Sequence, residues 1–144
     1  MKKGVDYIGV TTVFYCHDGK RNILLQKRSK NCQDEIGRWD CGGGSMKFGE
    51  TFEECLIREL KEEYGCEPIE FHYAATNNVL RKHNGRKTHW IALLYAVLVD
   101  PEKVKLSDPD KMEKIGWFPF DALPSALHSK FRKHFEMVKK SKFI

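Results

Sequence analysis

The stretch Gly44–Cys66, GSMKFGETFEECLIRELKEEYGC, constrains this chain more than any other. Thr51 and Glu54 stand as a Thr-x-x-Glu capping box, in which the hydroxyl accepts from a first-turn amide and the carboxylate reaches back to the cap N–H. Gly65 supplies the left-handed stop. Between them the spacing predicts a helix over Phe52–Tyr64, about three and a half turns, entered from a glycine-rich turn at Gly42–Gly44. At roughly 100° per residue, Leu56, Ile57, Leu60 and Tyr64 share the side expected to bury.

Glu59, Glu62 and Glu63 fall together on the adjoining strip, at i, i+3 and i+4. Like charges at that spacing repel by roughly 0.2–0.5 kcal/mol per pair, and the helix dipole disfavours anions in the last turns. Helix stability asks for neither. A divalent cation would turn the penalty into a site, since Mg²⁺ takes carboxylate oxygens and keeps waters or substrate phosphates in its other positions. The bland alternative is a solvated acidic face with Arg58 and Lys61 interspersed.

Gly44, five residues, Glu50, seven residues, then Arg58-Glu59-Leu60, Lys61, Glu62-Glu63, Tyr64 and Gly65 reproduce G-x5-E-x7-R-E-U-x-E-E-x-G-U, where U is bulky and aliphatic. This resembles the Nudix box, with Cys66 at the final aliphatic position. With each residue type at roughly one in fifteen, chance agreement in a chain this size is on the order of one in a million. Upstream, Leu24-Leu25-x-x-Arg28, a polar loop, and Gly37-x-Trp39 resemble the usual approach to the box, with Gly42 where many members carry proline. Downstream, Glu113-x-x-x-Trp117-Phe118 and Asp121-x-Leu123-Pro124 are similar to the family's closing segment.

The rest of the chain fits one ordinary domain spanning 1–144. At 144 residues it can bury a sizeable core. Hydrophobic and charged residues stand at 41% and 31%, and no apolar run approaches membrane-spanning length. The five cysteines are odd in number and lack C-x-x-C pairing, which suggests neither a disulfide framework nor a zinc site, but reduced thiols in a cytoplasm. A formal charge of +5 suits a polyanionic partner.

Residues 6–16 read as a strand and Asn22–Arg28 as its hairpin partner across His17–Lys20. Pro68–Leu80 reads as another strand, followed by an Asn84-Gly85 hairpin signal. Thr88–Val99 is the most apolar run, expected to be a central buried strand. Asp100–Lys111 is a polar loop. From Ser125 to about Lys140, Leu127, Phe131, Phe135 and Val138 make a helical stripe with a basic outer face. The fold class is α/β; the resemblance implies an α/β/α sandwich around a mixed sheet.

For chemistry, the resemblance implies Mg²⁺-dependent cleavage of a nucleoside diphosphate linked to another group, with Mn²⁺ as a substitute. Glu59, Glu62 and Glu63 are the expected metal ligands, with a backbone carbonyl from Gly43-Gly44 as an extra. One of Glu59, Glu62 and Glu63, or Glu50, is the candidate base, and spacing does not choose among them. The resemblance makes Arg58 the residue that orients these carboxylates. Substrate contacts are expected from Arg28 on phosphate, Trp39 by stacking, Gly43 by close backbone approach, and Glu113 in the acidic run that begins at Asp108. His89 and Trp90 are read as packing residues.

Among subclasses, the small size and the Asp108–Trp117 segment resemble the nucleoside triphosphate pyrophosphatases, which implies release of the monophosphate. The alternatives are an ADP-ribose, sugar-nucleotide or dinucleoside polyphosphate hydrolase, an RNA 5′-end hydrolase guided by the basic C-terminal helix, or a non-catalytic nucleotide-binding module. Leu80-Arg81 stand where ADP-ribose hydrolases often carry proline, and no tyrosine follows between Arg81 and Trp90 as in many dinucleoside polyphosphate hydrolases. A nucleotide is the expected partner; a homodimer is compatible with the family, and no membrane is implied.

Overall fold

A computed structural model describes all 144 residues. Seven strands form one mixed sheet. They are β1 Gly9–His17, β2 Asn22–Arg28, β3 Trp39–Asp40, β4 Gly42–Ser45, β5 Glu70–His83, β6 Arg86–Leu98 and β7 Met112–Pro119. Helix α1 spans Phe52–Tyr64 and α2 spans Phe131–Lys140. The main path runs β3-β2-β1-β6-β5, with β4 paired to β1 and β7 to β2. Only β1 and β6 are parallel, in register from Gly9 opposite Trp90 to His17 opposite Leu98.

The two faces of the sheet bury two separate clusters. Alternation along β1 sends Phe14 and Cys16 to one face, where they meet Leu56, Leu60 and Tyr64 of α1. It sends Tyr15 to the other, where it stacks on Phe135 of α2 and packs against Phe131. Helix, sheet and helix thus make the expected sandwich. Strand β6 lies between β1 and β5, and its residues Ala92–Val97 are buried, as their apolar run implies. No helix is long and apolar enough to cross a membrane, and all five thiols are free.

Helix α1 carries the expected caps. The Thr51 hydroxyl accepts from Glu54 N–H at 3.1 Å, Glu54 accepts from Thr51 N–H at 2.9 Å, and Gly65 closes it at φ +66°. The Asn84-Gly85 turn takes positive φ at both residues, 51° and 78°, the twist-matched geometry for joining β5 to β6.

Four local expectations need correction. Strand β2 is not a full hairpin partner of β1: they register only at His17 opposite Ile23. The edge it would use is taken by β4, antiparallel to β1 over Thr11–Phe14, so β2 pairs along β7 instead. That makes Gly42–Gly44 a strand rather than a turn. On the buried side of α1, Cys55 is fully enclosed while Ile57 is only half-buried. Finally, α2 begins at Phe131, not Ser125. Residues preceding it are claimed by β3, with Trp39 N–H donating to Ala126 O at 2.7 Å and His128 N–H to Trp39 O at 2.8 Å. Lys130, Arg132 and Lys133 also oppose the dipole at its start.

Candidate active site

Strand β4 and helix α1 form the site because glycine lets them touch. None of Gly42, Gly43 and Gly44 has a positive φ, so close approach rather than backbone freedom demands them. A Cβ on Gly42 would lie 2.1 Å from the Phe14 ring, and one on Gly43 2.6 Å from Thr12 O. One on Gly44 would lie 2.0 Å from the carboxyl carbon of Glu59. The Glu59 carboxylate therefore rests directly on the glycine backbone.

Two of the three box carboxylates turn inward. Glu59 and Glu63 are 5% and 1% exposed. Glu59 Oε1 accepts from Arg58 Nη1 at 2.8 Å and Glu63 Oε2 from Gly43 N–H at 3.2 Å. The remaining oxygens, Glu59 Oε2 and Glu63 Oε1, are buried with no hydrogen-bond partner. An orphaned buried acceptor costs about 1–3 kcal/mol, more when charged. Burial pushes the Glu63 carboxyl up to about 8, with the Glu59 charge adding to it and Lys111 opposing. Lys111 Nζ approaches Glu59 Oε2 at 3.9 Å. The ammonium is half-exposed.

Glu62 stands apart, half-exposed, with only long contacts of 3.4 and 3.5 Å to Arg58 Nη1. No set of three His, Cys, Asp or Glu side chains is already drawn together as a metal cage. The Gly44 carbonyl accepts from Thr11 Oγ1 at 3.0 Å, so it is partly satisfied within the sheet.

Arg58 knits the site together. It donates to Glu50 through Nε at 2.6 Å and Nη2 at 2.9 Å, to Glu59 through Nη1, and to Ser45 O through Nη2 at 3.2 Å. These hydrogen bonds hold the Glu50 carboxyl down at about 2, with the Lys47 N–H adding to the effect. A carboxylate so depressed and so fully engaged is a poor proton acceptor near neutral pH. Glu50 is thus brought to the site as the partner that fixes Arg58.

A cleft runs from the glycine strand and Lys111, which border this cluster, across the face of the sheet opposite α1. One cavity of about 790 Å³ is lined by Gly42, Gly43, Gln26, Arg28, Asp110 and Lys111 among others. A neighbouring cavity of about 410 Å³ shares Arg28, Asp34, Asp40 and Cys41 with it, and extends to Arg81 and Phe131. Arg28 and Gly43 thus line the cleft as expected. Trp39 does not: its indole packs edge-on against Phe118 at 5.1 Å, with Lys114 over its face. Nor does Glu113, which pairs at 3.1 Å with Lys27 of the neighbouring strand β2.

The sequence reading missed Asp40, Lys111 and Arg81. Burial raises the Asp40 carboxyl, partly countered by His128 and Arg28. No local spacing marks these residues; β3, β5 and the loop before β7, far apart in sequence, deliver them.

The comparisons agree with this geometry. The NUDIX domain family matches residues 7–140. Mouse (Mus musculus) 8-oxo-dGDP phosphatase NUDT18 is 29% identical over 133 residues, 90% of this chain. The chain spans only 37% of that relative's length. The CTP pyrophosphohydrolase of Escherichia coli K12 is 35% identical over 82 residues, 57% of each protein. The crystal structure of a MutT NUDIX hydrolase from Burkholderia pseudomallei superposes with a TM-score of 0.81 at 28% identity, covering 92% of this chain and 99% of that one. Box, cap, glycine strand and sandwich converge on one conclusion: this chain belongs to the NUDIX family.

Proposed function

We propose that the chain is a divalent-metal-dependent hydrolase of nucleoside diphosphate derivatives, and within that class a nucleoside triphosphate pyrophosphatase releasing the monophosphate. The observation that carries this reading is the pair of buried, partnerless oxygens, Glu59 Oε2 and Glu63 Oε1, beside a glycine strand. Hard carboxylate oxygens fit Mg²⁺, or Mn²⁺ in its place. Glu59 and Glu63 would hold the ion, with Glu62 free to join them from the surface. Bound there, it would neutralise the diphosphate and lower the pKa of water.

The chain's own residues supply the rest. Arg58, fixed by Glu50, holds Glu59 in place and keeps its charge from repelling Glu63 outward. Arg28 offers a guanidinium to a phosphate oxygen where the two cavities meet. Glu62 is the box carboxylate without a short hydrogen bond and open to solvent, so we assign its Oε the proton leaving the attacking water. The Gly43 N–H, now on Glu63 Oε2, ties that carboxylate to the glycine strand that borders the cleft. The names of relatives that act on 8-oxo-dGDP and CTP support a nucleotide substrate.

The test is product release from a panel of nucleoside triphosphates, sugar nucleotides, ADP-ribose and capped RNA with Mg²⁺, repeated with Glu62→Gln. Monophosphate and pyrophosphate from one triphosphate, lost in the variant, is the expected result. Equal turnover by the variant would remove Glu62 from the chemistry. Turnover confined to ADP-ribose or capped RNA would overturn the subclass.

A further inference from the structure

The loop between β2 and β3, residues 29–38, places one carboxylate between two arginines. Asp34 Oδ1 accepts from Arg28 Nη2 at 2.9 Å, and Asp34 Oδ2 lies 2.9 Å from Arg81 Nη1. The Asp34 carbonyl also accepts from Arg28 Nε at 3.1 Å. The neighbouring Glu35 accepts from Arg81 Nη2 at 2.9 Å and from Ser129 N–H at 2.8 Å, with His128 Nε2 at 2.8 Å. Arg28 belongs to β2 and Arg81 to the outermost strand, β5, so neither the sheet nor sequence proximity pairs them. Both line the smaller cavity, whose wall also carries His83, His128 and Lys130. Arg28 and Asp34 continue into the larger cavity that reaches Gly43.

One anion with each oxygen on a different guanidinium is an arrangement that a phosphate group, with three oxygens and more charge, fits better than a carboxylate. The three groups are only partly buried, with side-chain exposures of 21% for Arg28, 28% for Arg81 and 25% for Asp34. Ion pairs that open to water contribute little net stability, so exchanging the carboxylate for another anion is inexpensive. The backbone next to Asp34 is also strained. Glu35 sits at φ +48°, a conformation that an L residue adopts only when its surroundings hold it there.

From this geometry we infer that Arg28 and Arg81 form a two-arginine phosphate clamp, and that Asp34 holds the place of a substrate phosphate in the ligand-free chain. Arg81 then binds substrate directly, and entry of the nucleotide displaces the Asp34 carboxylate while Glu35 keeps the loop anchored to Ser129 and His128. The inference rests on the hydrolase reading for the nature of its ligand. A strut role for Asp34, aligning the arginines without yielding to a ligand, makes the opposite forecast.

Pyrophosphate binding to the metal-free chain, by calorimetry, separates the two. Arg81→Gln should weaken it roughly tenfold, the loss of one charge-assisted fork. Asp34→Asn should tighten it several-fold and lower the KM of whichever nucleotide is turned over. Asp110→Asn removes the same charge from the cavity wall without freeing an arginine, and should tighten binding less. Weaker binding by Asp34→Asn, or equal tightening by Asp110→Asn, would overturn the clamp. Thermal unfolding confirms that each variant folds, and Asp34→Ser serves as the second neutral replacement. Failure of the hydrolase reading shows separately, as a silent substrate panel; tighter pyrophosphate binding by Asp34→Asn would then leave the clamp standing.

Discussion

Gly44→Ala places a methyl group where the Glu59 carboxylate now lies. The added Cβ would sit 2.0 Å from the Glu59 carboxyl carbon and 2.3 Å from each oxygen, distances at which the side chain must leave. Expelling Glu59 breaks its 2.8 Å bond from Arg58 Nη1, a charge-assisted contact worth about 1.5–3 kcal/mol. Overpacking adds about 1–3 kcal/mol. Against these, the partnerless Glu59 Oε2 regains water, an offset of about 1–3 kcal/mol. The net loss of stability should be about 1–3 kcal/mol, or a fall in Tm of roughly 3–10 °C.

Turnover should suffer far more. Removing one preorganised charged group from a reaction centre costs on the order of 10²–10³ in kcat. Gly65→Ala is the matched control. It strains the α1 cap at φ +66° and brings a Cβ within 2.8 Å of Ser107 Oγ, with no clash on Glu59. Its stability loss should be similar, about 1–2 kcal/mol, with most activity retained at a temperature where both variants are folded. Steady-state pyrophosphatase rates beside thermal unfolding of both variants decide the matter. Equal activity in Gly44→Ala and Gly65→Ala would refute the claim that the glycine is there to seat Glu59.

Three further outcomes follow from the geometry. Arg58→Lys keeps the charge but loses the fork that joins Glu50, Glu59 and Ser45 O, so kcat should fall about 100-fold while the chain still folds. Phe135→Ala removes the ring stacked on Tyr15 and edge-packed on Phe120; unfolding should show a loss of about 3–5 kcal/mol. Burial holds the His134 imidazole down at about 4, with Lys130 and Lys133 assisting. Because its folded pKa lies below the unfolded value of about 6.5, the stability tied to its neutral form is present above that value. It is lost as pH falls toward 4. His134→Gln can keep a hydrogen bond to Asn77, so its unfolding free energy should decline less between pH 6.5 and 4.5 than that of the parent.

How much could be read beforehand depended on the range of the forces involved. Thr51, Glu54 and Gly65 specify α1 through contacts within a turn, and the structure has that helix at the expected bounds. Asn84-Gly85 fixes its hairpin equally locally. The three glycines were legible as unusual but not as a strand, because their role is to let Phe14, Thr12 and Glu59 come close, and those partners are set by tertiary packing. Likewise the stripe from Leu127 to Val138 predicted burial correctly at Leu127, Phe131, Phe135 and Val138. It could not reveal that Trp39 would pair with the segment before α2 and delay the helix.

In the site, box spacing located the carboxylates, while the inward turn of Glu59 and Glu63 and the outward turn of Glu62 depend on where β4 crosses α1. Trp39 was chosen by residue type and Glu113 by its place in an acidic run that resembles the family's, and packing against Phe118 and pairing with Lys27 take both away from the cleft. Arg81 was invisible as a cleft residue because its partners Asp34 and Glu35 lie more than forty positions away.

The most direct measurement is a Mn²⁺ titration of the ligand-free chain by electron paramagnetic resonance, repeated with Glu59→Gln and Glu63→Gln. If the two partnerless oxygens are the seat of the cation, the parent should bind Mn²⁺ and release it to excess Mg²⁺. Each variant should bind it at least tenfold more weakly, as expected from losing a carboxylate ligand. Unchanged Mn²⁺ affinity in both variants, with the proteins folded, would contradict that assignment.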